Sequence, residues 1–170
     1  MSEITYKYLS WEDIEKDCLS IYANMRKDNY KPEVIMGLLR GGVVPARIFM
    51  DFYDVSLDFC TLDVKMYDGI AIRKSSPVIK DFLGDKINGK SILVIDDLWD
   101  SGKTMTAVLE YLKPKNVRVT TATLYWKETA KDKPNYYAQV VKENEWVIFP
   151  FEKYEFWRLI NNEQVIRRNR

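Results

Sequence analysis

The chain has 170 residues, of which 46% are hydrophobic and 30% charged, enough for one domain with a buried core. Its 26 basic and 25 acidic residues leave a formal net charge of +1, so no overall field favours nucleic acid or a membrane surface as a partner. With no histidine in the sequence, Ser-His-Asp triads, HExxH zinc sites and imidazole acid–base chemistry are excluded.

Cysteine usage and the apolar pattern predict a cytoplasmic protein. Cys18 and Cys60 match no metal or redox spacing, and we expect both to be reduced thiols. No apolar run is long enough to span a membrane, and residues 1–15 lack the apolar stretch of a signal peptide.

The first part of the chain predicts strand, helix, strand and helix in turn. Residues 4–9 form a short extended segment, and Ser10 with Asp13 forms a capping-box pattern before an amphipathic helix. The continuous apolar run 34–39 is typical of a strand buried on both faces. Residues 40–42 end that strand, and a second helix follows.

The second part continues the alternation. Strands are predicted at 56–65, 91–96 and 117–124, with a helix at 103–113. The polar stretch 66–90 predicts a long irregular connection, typical of a functional lid or a mobile loop. Strands that alternate with helices predict a doubly wound α/β fold with a mainly parallel sheet flanked by helices.

Polar groups follow four of the predicted strands. In a parallel sheet the carboxyl ends of the strands lie at one edge, where ligands bind. We therefore expect one site built from the following segments: Arg40-Gly41-Gly42, Lys65-Met66-Tyr67, residues 96–104 and Lys127.

The most informative segment combines a buried strand, two acids and a small loop that opens a helix: Ile92-Leu93-Val94-Ile95-Asp96-Asp97-Leu98-Trp99-Asp100-Ser101-Gly102-Lys103-Thr104. Free N–H groups at a helix N-terminus bind phosphate, Gly102 permits close approach, and Ser101 and Thr104 add hydroxyl donors. Asp96 and Asp97 suit hydroxyl groups or a hard cation such as Mg²⁺. The segment therefore predicts a ligand with hydroxyls at one end and a phosphate at the other.

This segment has two alternative interpretations. Its end resembles a Walker A loop, but that motif needs a glycine where Asp97 stands, and an acid there would repel a phosphate. A strand that ends in solvated acids before an ordinary helix accounts for the strand and the helix, but not for the whole segment.

The segment resembles the phosphoribosyl-pyrophosphate (PRPP) signature of type I phosphoribosyltransferases, with Trp99 in place of a smaller aliphatic residue. The resemblance implies that residues 98–104 hold the 5′-phosphate. It also implies that Asp96 and Asp97 contact the ribose hydroxyls or a metal ion, Mg²⁺, through water.

Two further segments resemble loops of the same family. Arg40, with Gly41 and Gly42, resembles the pyrophosphate-binding loop, in which an unusual peptide conformation precedes the basic residue. The guanidinium fork suits phosphate oxygens, although a simple strand-ending turn is the alternative. Lys65-Met66-Tyr67 resembles the flexible catalytic loop of purine salvage transferases, but Met66 replaces a serine, so only Tyr67 carries over.

Lys127 and the run from Trp146 through Val147 to Glu152 resemble the purine pocket of bacterial and archaeal 6-oxopurine transferases. In that pocket a lysine donates to the purine O6, an aromatic residue stacks on the ring, and the next carbonyl meets the ring edge. An ammonium group has only donors, so the amine of adenine would leave it unpaired. Ile148 replaces an acid that reads the 2-position in xanthine–guanine enzymes, so the choice among hypoxanthine, guanine and xanthine stays open. A surface lysine and a core tryptophan are the simpler alternatives.

The resemblance implies a purine salvage enzyme that converts a 6-oxopurine base and PRPP to a nucleoside 5′-monophosphate and pyrophosphate, with Mg²⁺ as cofactor. Asp100 is the candidate to meet the purine N7 and to take or relay its proton, and Lys127 and Arg40 complete the predicted catalytic set. Adenine as substrate, or a PRPP-sensing regulator that binds nucleic acid, are the alternatives; Lys127 disfavours the first and the +1 charge the second.

We expect a single domain over 1–170. Its core, at about 30–124, carries the PRPP site, and residues 1–9 with 125–155 form a small hood over the base. We expect no nucleic-acid or membrane partner. Abundant Tyr, Phe and Trp residues predict a homodimer or homotetramer.

Overall fold

A computed structural model describes residues 3–53, 57–67, 73–81 and 87–168. Within these ranges the elements, in chain order, are β1 Thr5–Tyr8, α1 Trp11–Lys27, β2 Val34–Leu39, α2 Val43–Met50, β3 Asp58–Tyr67, β4 Arg73–Asp81, β5 Ser91–Trp99, α3 Lys103–Leu112, β6 Arg118–Lys127, β7 Tyr136–Val141, β8 Glu145–Ile148 and α4 Lys153–Arg168. None of the helices in the described part is long and apolar enough to cross a membrane.

The described strands form one large sheet and one small sheet. The large sheet has the order β4-β3-β2-β5-β6-β7. Its strands β3, β2, β5, β6 and β7 are parallel to their neighbours, and only the edge strand β4 runs antiparallel. The small sheet pairs β1 with β8 in parallel.

Helices cover both faces of the large sheet, because alternate residues of its central strands point to opposite sides. Ile35 and Leu93 pack in one cluster with α1 and α2. Met36 and Val94 pack in a second cluster with α3. The continuous apolar runs of β2 and β5 are explained by burial on both faces, and the predicted doubly wound α/β fold is confirmed.

The predicted capping box at the start of α1 is present. The Ser10 backbone N–H donates to Asp13 Oδ2 at 2.9 Å, and the Asp13 N–H donates to Ser10 Oγ at 3.1 Å. Both bonds satisfy donors that a helix N-terminus leaves free. The predicted apolar face of α1 is buried, and it includes Ile14, Cys18, Ile21 and Met25.

The prediction of an irregular connection over 66–90 is wrong at 66–67 and 73–81, which belong to strands. Strand β3 extends to Tyr67, so Lys65-Met66-Tyr67 lies within a strand, and β4 pairs with it. Pro77 argued against a strand at this point of the sequence, because proline has no N–H to donate to a strand ladder. Proline is tolerated in this strand because β4 lies at the sheet edge and its register shifts between Lys65 and Tyr67. Residues 68–72 and 82–86 of the predicted loop lie outside the described residues.

Two strands also end later than predicted. Strand β5 runs to Trp99, and Leu98 pairs with Tyr125 of β6 in the ladder. Strand β6 includes Lys127 as its last residue. The two acids after the apolar run therefore lie inside β5, and the loop before α3 shortens to residues 100–102. The sheet ladder overrode the weak strand propensity of the acids.

Candidate active site

A cavity of about 540 Å³ opens at the carboxyl ends of β2, β5 and β6. Most of the predicted site residues line it, together with residues that the sequence did not single out. The lining consists of Leu38, Leu39, Arg40, Gly41, Val64, Asp96, Asp97, Leu98, Asp100, Thr104, Lys127, Glu145, Trp146, Val147, Phe149 and Glu152. The predicted position of the site, at the carboxyl edge of a parallel sheet, agrees with this cavity.

Asp96 and Asp97 bring two carboxylates into the cavity from consecutive positions of β5. Asp96 Oδ1 accepts the N–H of Asp97 at 3.0 Å, and Asp97 Oδ1 accepts the N–H of Leu98 at 2.8 Å. Burial and the negative charge of Asp97 raise the pKa of Asp96 well above its ordinary value. Burial likewise raises the pKa of Asp97. Burial therefore favours the neutral form of both carboxyl groups.

The loop after β5 begins helix α3 with free backbone donors. Gly102 is the N-cap with φ of 79°, a left-handed conformation that favours glycine. Its carbonyl accepts the Thr106 N–H at 2.9 Å and the Thr106 hydroxyl at 3.0 Å. Ser101 and Lys103 are exposed, and Thr104 faces the cavity. This geometry matches the anion-binding helix N-terminus predicted from the sequence.

Trp99 supports the loop from below and does not line the cavity. Its side chain is 5% exposed and belongs to the apolar cluster around α3. A Cβ on Gly102 would lie 2.8 Å from Trp99 Nε1, so the indole packs directly against the loop backbone. Trp99 is the last residue of β5 and not part of the loop, because the ladder with β6 extends to it, and its contact with a phosphate stays a prediction.

Arg40 and Gly41 form the loop that follows β2. The peptide bond between Leu39 and Arg40 is cis, in agreement with the unusual peptide conformation that the resemblance implied at this point. A Cβ on Gly41 would lie 1.7 Å from Asp97 Oδ2, so this loop lies directly on the acids of β5. A Cβ on Gly42 would lie 2.5 Å from the Ile95 carbonyl oxygen. Gly42 is required by close approach of the β5 backbone, and Gly41 by close approach of the Asp97 carboxylate.

Lys127 and Asp100 form an ion pair across the cavity. Lys127 Nζ lies 2.9 Å from Asp100 Oδ1, and the side chains are 16% and 61% exposed. The end of β6 and the loop after β5 bring these residues together, because β5 and β6 are adjacent in the sheet. The lysine keeps further N–H donors that can face a ligand.

The remaining wall comes from β8 and the segment before α4. Trp146 is 52% exposed, and Val147 is 5% exposed. Burial and the nearby charges of Asp97 and Glu155 raise the pKa of Glu152 to about 7, while Arg40 acts in the opposite direction.

Some predicted residues lie outside the cavity wall. Gly42, Ser101, Gly102 and Lys103 belong to the two loops but do not line it. Tyr67 is the last residue of β3, and its side chain lies outside the described residues.

Sequence reasoning missed other wall residues and one partner of the site. Glu145 and Phe149 line the cavity. Glu155 binds Arg40, with both carboxylate oxygens near one guanidinium nitrogen. No local signal in the sequence could have revealed this partner, because Glu155 lies 115 positions from Arg40.

The carboxylates of β5 fit a divalent cation bound through water. In the described part of the chain no group of three or more Asp, Glu, Cys or His residues could hold a metal ion directly. Asp96 and Asp97 still supply two adjacent hard oxygen ligands, and burial raises the pKa of both carboxyl groups. Such a pair suits Mg²⁺, which keeps several waters and is completed by substrate phosphates.

The phosphoribosyl transferase domain family matches residues 6–155. Since this match covers most of the sequence, the chain belongs to that family and is a phosphoribosyltransferase. The resemblance predicted from the motifs is thereby confirmed.

Named relatives are purine transferases. The chain is 32% identical over 153 residues to a xanthine-guanine phosphoribosyltransferase of Cereibacter sphaeroides, covering 85% of this chain and 86% of the relative. It is 31% identical over 129 residues to a hypoxanthine-guanine phosphoribosyltransferase of Staphylococcus aureus, covering 75% and 69%. A crystal structure of a purine phosphoribosyltransferase from Pyrococcus horikoshii matches with a TM-score of 0.74 and 29% identity, covering 85% and 93%.

Proposed function

We propose that this chain transfers the phosphoribosyl group of PRPP to a 6-oxopurine base, giving a nucleoside 5′-monophosphate and pyrophosphate. The observation that carries the proposal is the largely buried ammonium of Lys127 in the same cavity as Trp146 and the acids of β5. The relatives named as xanthine-guanine and hypoxanthine-guanine enzymes support the same substrate class.

The base binds between Lys127 and Trp146. The Lys127 ammonium donates to the purine O6, and its bond to Asp100 fixes its position. Trp146 offers an exposed face for stacking, and the backbone of Val147 meets the ring edge. Adenine presents an amine at the 6-position, so it would leave the lysine without an acceptor there. Asp100 accepts or relays the proton at N7.

PRPP occupies the opposite half of the cavity. The N–H groups and hydroxyls of the loop at 100–104 hold the 5′-phosphate. Asp96 and Asp97 contact the ribose hydroxyls and water around Mg²⁺, which would offset charge on the pyrophosphate. Arg40 and the Gly41 backbone hold the leaving pyrophosphate. Since charge develops on that group and at the anomeric carbon, placed charges supply most of the rate enhancement.

The parts of the chain around this cavity keep the roles given to them by the sequence. The sheet core at about 30–124 carries the PRPP half, and the small sheet of β1 and β8 belongs to the proposed hood over the base. Tyr67, the last residue of β3, keeps its predicted role in substrate binding. A cytoplasmic location and a homodimer or homotetramer complete the proposal.

The test is an absorbance assay of turnover with PRPP, Mg²⁺ and each of hypoxanthine, guanine, xanthine and adenine. We expect turnover of 6-oxopurines and a fall in kcat/KM of about 10- to 100-fold in Lys127→Ala, from the loss of a charged hydrogen bond of about 1.5–3 kcal/mol. Lys131→Ala removes an exposed lysine from the segment after β6 and is the matched control, with wild-type kinetics expected. Turnover of adenine alone would contradict the role of Lys127, and no turnover with PRPP still bound would indicate a sensor.

A further inference from the structure

The guanidinium group of Arg40 is bound to a carboxylate of the same chain. Its Nη2 donates to Glu155 Oε1 at 2.7 Å and to Oε2 at 2.8 Å. Glu155 lies 115 positions later in the chain, in the first turn of α4. The charged nitrogen proposed to hold pyrophosphate is therefore held by a carboxylate of the same chain.

The two ligands of Arg40 exclude each other for a chemical reason. A carboxylate and a phosphate both bind a guanidinium through two oxygens placed in its plane. A pyrophosphate that took the Nη2 donor would also approach Glu155, and two anions so close would repel. Glu155 must therefore move away from Arg40, or the substrate must bind without that donor.

The ion pair between Arg40 and Glu155 is suited to replacement by a bound anion. The Arg40 and Glu155 side chains are 78% and 40% exposed, so water screens the pair and its strength is modest. Glu155 also lies beside the neighbouring pocket wall of Trp146 and Glu152, which gives the released carboxylate open space. A stronger, buried pair could not be displaced by a substrate at ordinary concentration.

We infer that Glu155 is a built-in competitor for Arg40, which holds the pyrophosphate-binding arginine in the ligand-free enzyme and is displaced by the pyrophosphate group of PRPP. This inference rests on the proposed function, because it takes pyrophosphate as the ligand of Arg40. The displacement weakens PRPP binding and speeds the departure of pyrophosphate, since Glu155 reclaims Arg40 after the reaction. The Glu155 carboxylate thus leaves Arg40 in each turnover.

The direct test is isothermal titration calorimetry with inorganic pyrophosphate, with and without Mg²⁺, on wild type and Glu155→Gln. Glutamine keeps the size of the side chain and removes the charge. We expect a dissociation constant about three- to tenfold lower in Glu155→Gln, because its competitor has lost its charge. Glu110→Gln, an exposed glutamate on α3, carries the same change in net charge and should match wild type.

A double-mutant cycle assigns the effect to Arg40. In an Arg40→Gln background, Glu155→Gln should no longer tighten pyrophosphate binding. In steady-state assays Glu155→Gln should lower both the KM for PRPP and kcat, since tighter pyrophosphate leaves more slowly.

The outcomes separate this inference from the proposed function. Weaker or unchanged pyrophosphate binding by Glu155→Gln, or no detectable binding by either protein, would overturn the competitor role, even if 6-oxopurines are turned over. Tighter binding that disappears with Arg40→Gln would establish the competitor role, even if no base is turned over and the proposed function fails.

Discussion

Among the single residues of the site, three carboxyl groups line the same cavity. Burial raises the pKa values of Asp96, Asp97 and Glu152, and the charges of neighbouring acids raise those of Asp96 and Glu152 further. Such an arrangement costs stability in the ligand-free protein and favours the binding of cations or hydroxyl-rich ligands. The cost therefore depends on pH.

Glu152→Gln should stabilise the protein at alkaline pH and leave it nearly unchanged under acid. The pKa of Glu152 is about 7 in the folded protein, against an ordinary value of 4.5. The folded state therefore resists ionisation, so the cost is absent below about pH 4.5, grows as the pH rises to about 7, and is complete above it. We expect Tm to rise by about 2–6 °C at pH 8 and by about 1 °C or less at pH 5.

The measurement is thermal unfolding in EDTA at both pH values. Glu143→Gln, an exposed glutamate, is the control and should leave Tm unchanged at both. An equal rise for Glu152→Gln at pH 5 and pH 8 would show that ionisation is not the cause.

Among the secondary-structure elements, the loop after β2 and the end of β5 build the site by close contact. The loop after β2 lies on the end of β5, because these strands are neighbours in the sheet. Gly41 has no left-handed φ, so its backbone conformation does not demand glycine. What demands glycine is the contact with Asp97, where any Cβ would overlap the carboxylate.

Gly41→Ala should disrupt the site more than the fold. The new methyl group would lie 1.7 Å from Asp97 Oδ2, so the β2 loop or the carboxylate must move. We expect a loss of at least about 100-fold in kcat/KM, since displacements of about 1 Å have effects of this size. The loss of stability should stay near 1–3 kcal/mol, in the range for overpacking.

Gly89→Ala is the control, because it strains the backbone without making a new contact. A Cβ there meets nothing within 4 Å, but φ is 76°, so this change strains the backbone far from the site. It should cost about 1 kcal/mol of unfolding free energy in urea titrations and leave the kinetics unchanged. Equal kinetic losses in both variants would contradict the contact argument.

At the level of the whole molecule, aromatic side chains form an exposed surface around β1 and the start of α4. Tyr6 and Tyr8 pack on Phe156, with ring centroids 5.4 and 6.2 Å apart from it. Tyr154 and Trp157, on the same helix as Phe156, are 73% and 67% exposed. Large exposed apolar patches of this kind mark interfaces, which agrees with the predicted homo-oligomer.

Trp157→Lys should shift the protein toward the monomer. A lysine ammonium would have to be buried without a partner in an apolar contact between copies, which is costly. Sedimentation velocity should show a dimer or tetramer for wild type and a concentration-dependent shift to monomer for the variant. Leu109→Lys adds the same charge at an exposed position on α3 and should leave the mass unchanged. A monomeric wild type would contradict the prediction.

Local patterns in the sequence determined much of this protein. The apolar runs of β2 and β5, the capping box at Ser10 and the small loop ending at Gly102 depend on neighbouring residues, so they can be recognised without knowing the fold. The alternation of strands and helices then placed the polar segments at one sheet edge. This is why the fold, and the group of residues around the cavity, could be predicted.

Only the tertiary structure decided the contacts between distant segments. Strand pairing extended β5 through Trp99 and retained β4 despite Pro77, because a ladder with a neighbour outweighs local propensity. The ion pair of Arg40 with Glu155 joins residues 115 positions apart. Its formation depends on where α4 lies against the β2 loop, and no local pattern encodes that distance.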